Sequence, residues 1–157
     1  MRKLRVSVLG ATGSIGISTL DVVTGLSQGA PVFEVVALTA NTNVVDLAKA
    51  AIKSKAEVAV IGDASLYGQL KSMLSGSGVE PAAGADALIE AAMRPADRVV
   101  AAIVGIAGLP STLAAVRQGT TVALANKESL VCAGALLQEE ARRSGASTPM
   151  WRCRRRP

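Results

Sequence analysis

Three glycines at intervals of three, Gly10, Gly13 and Gly16, follow the apolar run Val6-Ser7-Val8-Leu9. Without a Cβ they let the backbone turn sharply and come close to a ligand. An amphipathic segment opens at once at Ser14. The free N–H groups and partial positive charge of a helix start therefore lie beside the glycines, which suits a phosphate. Gly-x-x-Gly-x-x-Gly is a variant of the dinucleotide fingerprint, and its place between a strand and a helix gives it weight. The competing reading is a glycine-rich turn with no ligand. A second polar group, Asn126-Lys127-Glu128, directly follows the apolar run Thr121-Val122-Ala123-Leu124-Ala125. Lys127 could hold a phosphate or carboxylate as a point charge, and Asn126 and Glu128 could hydrogen-bond a ribose or a ring amide. Equally, the trio could be a helix N-cap with Glu128 at the positive end of the dipole.

Other chemistries are poorly served. The chain has no histidine, which removes His-based acid–base work, Ser-His-Asp triads and His-ligated metals. Cys132 and Cys153 lack metal-ligand spacing, and Cys132 reads as a small buried residue. The net charge is +5, but four arginines (Arg152, Arg154, Arg155 and Arg156) lie in the last six residues, and the remainder is close to neutral. No basic stripe marks a nucleic-acid surface. The apolar runs are too short for a membrane span or a signal peptide, so a cytoplasmic setting with no membrane partner is expected.

The elements that must position these residues alternate along the chain. Strands are expected at residues 4–9, 32–38, 57–61, 79–80, 99–104 and 121–125. Helices are expected at 14–26, 44–53, 63–75, 84–93, 111–118 and 133–143. Ser27-Gln28-Gly29 closes the first helix, and Pro31 precedes the second strand. Inward side chains are taken as Leu47, Ala48, Ala51 and Ile52, then Leu66, Leu70, Met73 and Leu74, and later Leu136, Leu137 and Ala141. The pattern is α/β: a Rossmann-like, doubly wound, mainly parallel sheet with helices on both faces. Its interior is built from Ala, Val, Leu and Ile, since Phe33, Tyr67 and Trp151 are the only aromatic residues. Loops 10–16, 39–43 and 105–108 then converge beyond the strand ends, with 125–129 beside them.

The second strand leads into Thr39-Ala40-Asn41-Thr42-Asn43. An acidic residue there would bind a ribose 2′-hydroxyl and repel a 2′-phosphate, so its absence leans the loop towards a phosphorylated ribose. A polar turn with Asn43 capping the next helix explains the same residues equally well.

Together these segments resemble the N-terminal domain of the 1-deoxy-D-xylulose 5-phosphate reductoisomerases. The matching motifs are Leu9-Gly10-Ala11-Thr12-Gly13-Ser14-Ile15-Gly16, Val36-Ala37-Leu38-Thr39-Ala40-Asn41, Ala101-Ala102-Ile103-Val104-Gly105 and, most specific, Ala123-Leu124-Ala125-Asn126-Lys127-Glu128-Ser129. The resemblance covers residues 4–146. It implies that Thr12, Gly13, Ser14 and Ile15 hold the NADPH diphosphate and that Asn41, Thr42 and Asn43 hold the adenosine ribose. It further implies that Asn126 and Glu128 contact the cofactor and Lys127 the sugar-phosphate substrate. The family isomerises 1-deoxy-D-xylulose 5-phosphate and reduces the aldehyde with NADPH to 2-C-methyl-D-erythritol 4-phosphate in non-mevalonate isoprenoid synthesis. It uses a divalent cation (Mn or Mg) and forms homodimers. A basic residue often stands where this chain has Thr42.

The departure lies at the end of the chain. The family continues with an Asp-Ser-Glu metal motif and a catalytic domain, whereas no Asp or Glu follows Glu140 here. Residues 1–146 are therefore expected to form the NADPH-binding domain, without catalytic residues or metal ligands and inactive alone. The basic segment 147–157 is expected to be disordered, a compositional break that a shifted reading frame would produce. Two other readings are a non-catalytic nucleotide-binding scaffold or sensor and a short-chain dehydrogenase. The second has the spacing of Tyr67 and Lys71 in its favour but places that pair on an early helix.

Overall fold

The computed structural model describes residues 2–26 and 32–148. Its strands are β1 (Leu4–Leu9), β2 (Phe33–Ala40), β3 (Val58–Ile61), β4 (Glu80–Ala83), β5 (Arg98–Ala101) and β6 (Thr121–Leu124). Its α-helices are α1 (Ser14–Leu26), α2 (Val44–Ser54), α3 (Tyr67–Leu74), α4 (Ala85–Met93), α5 (Leu109–Arg117) and α6 (Lys127–Ser144). The strands form one sheet in the order β4-β3-β2-β1-β5-β6, and every pairing is parallel. The order reverses between β1 and β5. That reversal opens a crevice beyond the strand ends where open α/β sheets bind ligands.

Alternation along the strands shows that both faces are covered. In β3, Ala59 and Ile61 pack with Leu47 and Ala51 of α2 and Leu70 of α3. Val58 and Val60 point the other way, into the cluster that holds Ala91 of α4. Beyond β1, Val99 and Val122 pack with Ala115 and Val116 of α5 and Leu137 of α6. Burying a side chain such as Leu38 or Leu137 stabilises the fold by roughly 1.5–3 kcal/mol.

β1 and α1 match expectation residue for residue. β2 runs on through Thr39 and Ala40, since the Thr39 hydroxyl finds a partner inside the fold. The strand expected at 99–104 ends at Ala101, because its neighbour β1 ends at Leu9 and the last backbone bond on that side runs from Ala102 N–H to Leu9 O, 2.8 Å. Val104 lies outside the sheet, 81 % exposed. The short strand expected at 79–80 is Glu80–Ala83, where an edge position tolerates Pro81, which has no N–H. The last helix begins six residues earlier than expected and bends at Ala133, which has φ −139° and ψ 21°.

Several side chains read as inward face solvent instead. Ile52, Met73 and Leu136 are exposed, as are Ile15, Ile17, Val22 and Leu26 of α1. A helix lying on a sheet buries a narrow stripe, in α1 only Gly16, Leu20 and Val23. Cys132, read as buried, is exposed. The helix-closing Ser27-Gln28-Gly29, Pro31 and residues 149–157 of the basic segment lie outside the described residues. Ser147 accepts a hydrogen bond from Val122 N–H of β6 at 2.9 Å. Backbone pairing therefore continues one residue past the boundary expected at 146.

Candidate functional site: the crevice between β1 and β5

The phosphate-loop candidate is held from behind by steric demand and by hydrogen bonds. Gly10 has φ +88°, and a Cβ there would lie 2.7 Å from the Ala102 carbonyl oxygen. This close approach locks the β1 loop against the loop after β5. A Cβ on Gly16 would sit 2.2 Å from Gly10 O, so α1 can start tight against the turn only with glycine there. Gly13 differs, since its Cβ would meet nothing closer than Gly10 O at 3.5 Å. Nothing within the chain forbids a side chain at Gly13, and the space in front of it is free for a ligand.

The amides divide the same way. Gly10 N–H donates to the Thr39 hydroxyl at 3.0 Å, Ala11 N–H to Thr39 O at 2.7 Å and Gly13 N–H to Gly10 O at 3.2 Å. The amides of Thr12, Ser14 and Ile15 make no hydrogen bond among the described residues. Thr12 is half-buried, and Ser14 and Ile15 are exposed. Three free donors beside the N-terminal dipole of a 13-residue helix are an anion-binding arrangement.

The ribose-loop candidates sit beyond β2, all three exposed. The Asn41 side chain lies over Gly62 at the end of β3, where a Cβ would come within 2.8 Å of Asn41 Oδ1. Thr42 O accepts from Val44 N–H at 2.9 Å. Asn43 is the N-cap of α2: its Oδ1 accepts from Asp46 N–H at 3.2 Å, and its Nδ2 donates to Asp46 Oδ2 at 2.8 Å. Beside this loop Asp63 caps the turn after β3, and its carboxyl is held below the usual range by the Ser65 hydroxyl and then by the Ser65 amide.

The fourth loop is fixed by Asn126, which is 5 % exposed. Its Nδ2 donates to Ile103 O and to Gly105 O, each at 2.7 Å. Its Oδ1 accepts from Glu128 N–H at 2.9 Å and from Ser129 N–H at 3.4 Å. The side-chain amide is thus spent on the protein, both as the α6 N-cap and as a pin through the loop after β5. The Asn126 side chain positions the loop, because both of its N–H bonds and its oxygen are engaged. A Cβ on Gly108 would lie 2.9 Å from Ile103 O and 3.3 Å from Asn126 Nδ2, so the pin also requires that glycine. Glu128 is half-buried and Lys127 exposed, and neither side chain forms an ion pair among the described residues.

The crevice therefore gathers the four loops through contacts between residues 10 and 102, 11 and 39, and 105 and 126. Two residues that position it escaped sequence reasoning, Gly62 and Asp46, and Thr39 was seen only as part of its loop, not as the partner of Gly10 and Ala11. Thr39 and Gly62 stand at strand ends and Asp46 in the first turn of α2, places that draw attention to loop residues but do not say which of them face one another. Among the described residues no group of three or more His, Cys, Asp or Glu could hold a metal ion, and no helix is long and apolar enough to cross a membrane.

Comparisons with known proteins agree with this geometry. The family model described as 1-deoxy-D-xylulose 5-phosphate reductoisomerase matches residues 6–134. The reductoisomerase of Zymomonas mobilis is 59 % identical over 142 residues, covering 90 % of this chain and 36 % of that protein. That of Rhizobium meliloti is 57 % identical over 134 residues, covering 85 % of this chain and 34 % of its own length. The solved Z. mobilis enzyme in complex with NADPH superposes with a TM-score of 0.90 at 56 % identity, over 95 % of this chain and 38 % of that one. A reductoisomerase in complex with NADPH, fosmidomycin and magnesium superposes with a TM-score of 0.86 at 37 % identity, over 94 % of this chain and 36 % of that one. The chain spans about a third of the length of these relatives.

Proposed function

The chain belongs to the 1-deoxy-D-xylulose 5-phosphate reductoisomerase family, and from that premise we propose that residues 1–146 are its NADPH-binding domain. The observation that carries the reading is the set of free amides at Thr12, Ser14 and Ile15 in front of Gly13, the one glycine of the three that the chain's own packing does not require. A diphosphate accepts those hydrogen bonds and uses the space that a Cβ would fill.

Asn41, Thr42 and Asn43 take the adenosine ribose. The loop pinned by Asn126 and the half-buried Glu128 line the path towards the nicotinamide, and exposed Lys127 takes the phosphate of the sugar substrate as a point charge. When bound, NADPH supplies the hydride that reduces the rearranged aldehyde. The protein's part, in this third of the family's length, is to hold and orient the cofactor. The reading extends to the family's conversion of 1-deoxy-D-xylulose 5-phosphate to 2-C-methyl-D-erythritol 4-phosphate, its cytoplasmic setting and its homodimer. The described residues do not fit the family's divalent cation, and no step is derived through it.

Calorimetric titration of the chain with NADPH tests the proposal. Saturable binding is expected, with a Kd on the order of micromolar to 1 mM. Gly13→Ala, at an open position, is expected to keep the melting temperature within about 2 °C and to weaken NADPH at least about tenfold. No heat of binding at several millimolar NADPH, or unchanged affinity in Gly13→Ala, overturns it.

A further inference from the structure

Of the buried polar side chains among the described residues, Ser111, Thr112, Asn126 and Ser129 gather around the loop that follows β5. Three of them hold its backbone. Asn126 Nδ2 donates to Ile103 O and Gly105 O, and the hydroxyls of Ser111 and Thr112 donate to Gly108 O at 3.2 and 2.7 Å. Ser129 does not. Its hydroxyl is fully buried at the start of α6 and has no hydrogen-bond partner among the described residues. Yet α6 packs against the turn Ile106–Gly108, and the Ser129 amide shares Asn126 Oδ1 with the Glu128 amide. Two bonds in this corner are long, Ser129 N–H to Asn126 Oδ1 and Gly108 N–H to Gly105 O, each at 3.4 Å. Val104 and Ile106 of the same loop stand exposed.

A buried hydroxyl without a partner costs stability, and native folds leave few of them. It can donate one bond and accept two, and the backbone of the neighbouring loop is held by a bond at the limit of length. We propose that Ser129 is a positioning residue of the crevice, whose hydroxyl takes a bond from the 103–108 loop when a nucleotide lies on that loop. The proposal rests on the cofactor reading above and deepens it. A nucleotide that covers Val104 and Ile106 removes apolar surface from water, which favours drawing the loop onto α6. A group left without a partner in the free state and given one in the occupied state favours occupation by that difference, and the ligand gains it as affinity.

Ser129→Ala in the full 157-residue chain decides the matter, since it removes one oxygen and nothing else. Without nucleotide its melting temperature is expected to lie no more than about 2 °C below that of the unsubstituted chain, because no bond is lost. Calorimetric titration is expected to show NADPH weakened at least about threefold. Ser7→Ala is the control, since the Ser7 hydroxyl is likewise buried without a partner among the described residues but sits in the middle of β1. It is expected to leave the NADPH Kd within about twofold. Amide hydrogen exchange supplies a readout that a purely structural residue would not move: saturating NADPH is expected to slow the Gly108 amide at least about threefold less in Ser129→Ala than in the unsubstituted chain. A larger fall in melting temperature, or a variant that does not fold, means that the hydroxyl already has a partner in the free chain, a buried water included, and overturns the inference. NADPH affinity weakened less than about threefold in Ser129→Ala, an equal loss in Ser7→Ala, or equal slowing of the Gly108 amide overturns it too and leaves the cofactor reading standing. Failure of the unsubstituted chain to bind NADPH overturns both.

Discussion

At the residue scale the candidate site rests on a side chain bonded to the protein on every side. Asn126 makes four hydrogen bonds, and all four go to the protein. Asn126→Asp keeps the cap on α6 but removes both donors, leaving Ile103 O and Gly105 O facing a buried carboxylate. A loss of roughly 2–4 kcal/mol in urea unfolding is expected, together with weaker NADPH binding as the 105–108 loop is released. A loss under about 0.5 kcal/mol would mean that the pin is dispensable. The three residues of that motif were legible in the sequence as a polar group at a strand end, but not the part that Asn126 plays in the fold. A cap and a ligand contact call for the same residue types at the same spacing, and only the 2.7 Å contacts to a loop more than twenty residues earlier separate them. Gly10, Gly13 and Gly16 were equally visible as a group. Which of them serve the fold and which has open space in front of it depends on Ala102 and Gly10 O, neighbours that no spacing rule names.

At the scale of elements, the register of β1 with β5 is set at its lower end by a charge cluster. Asp97, just before β5, accepts from the Arg5 backbone N–H at 2.8 Å and from the Arg2 guanidinium at 2.5 Å. Arg5 in turn reaches Glu57 before β3 at 2.8 Å. The Arg5 amide, with help from Arg2 and against the cost of burial, holds the Asp97 carboxyl below the ordinary carboxylate range. A carboxylate whose pKa is lower when folded than unfolded stabilises the fold above its unfolded value, near pH 4, and the stability is lost as pH falls through the lowered value. Asp97→Asn is therefore expected to melt below the unsubstituted chain at pH 7, with the two curves converging as pH is taken from about 4 to about 2. A difference independent of pH would show that the carboxylate's charge is not what matters. Nothing in the sequence marked Asp97, because its partners lie more than ninety residues away. Elements with a strong local signature were legible by contrast. β1 is a run of β-branched and apolar residues stopped by Gly10, and α1 begins where the glycines allow. β5 was read too long because residues 102–104 are as apolar as those before them. Strand length there is decided by where β1 stops offering partners.

For the molecule as a whole, stability and the proposed function are linked by mass action. The strand order reverses between β1 and β5, and among the described residues the loops that meet there are joined by Gly10 to Thr39, Ala11 to Thr39, and Asn126 to residues 103 and 105. A dinucleotide laid across that reversal would touch loops from both halves of the sheet and would bind the native state in preference to the unfolded chain. At a ligand concentration of a hundred times Kd the native state gains about 2.7 kcal/mol. For a chain of this size each kcal/mol raises the melting temperature by about 2–4 °C, so saturating NADPH should raise Tm by roughly 5–11 °C. A rise that fails to scale with the logarithm of NADPH concentration would place the nucleotide somewhere other than a native-state crevice, since linkage to a single site admits only that dependence.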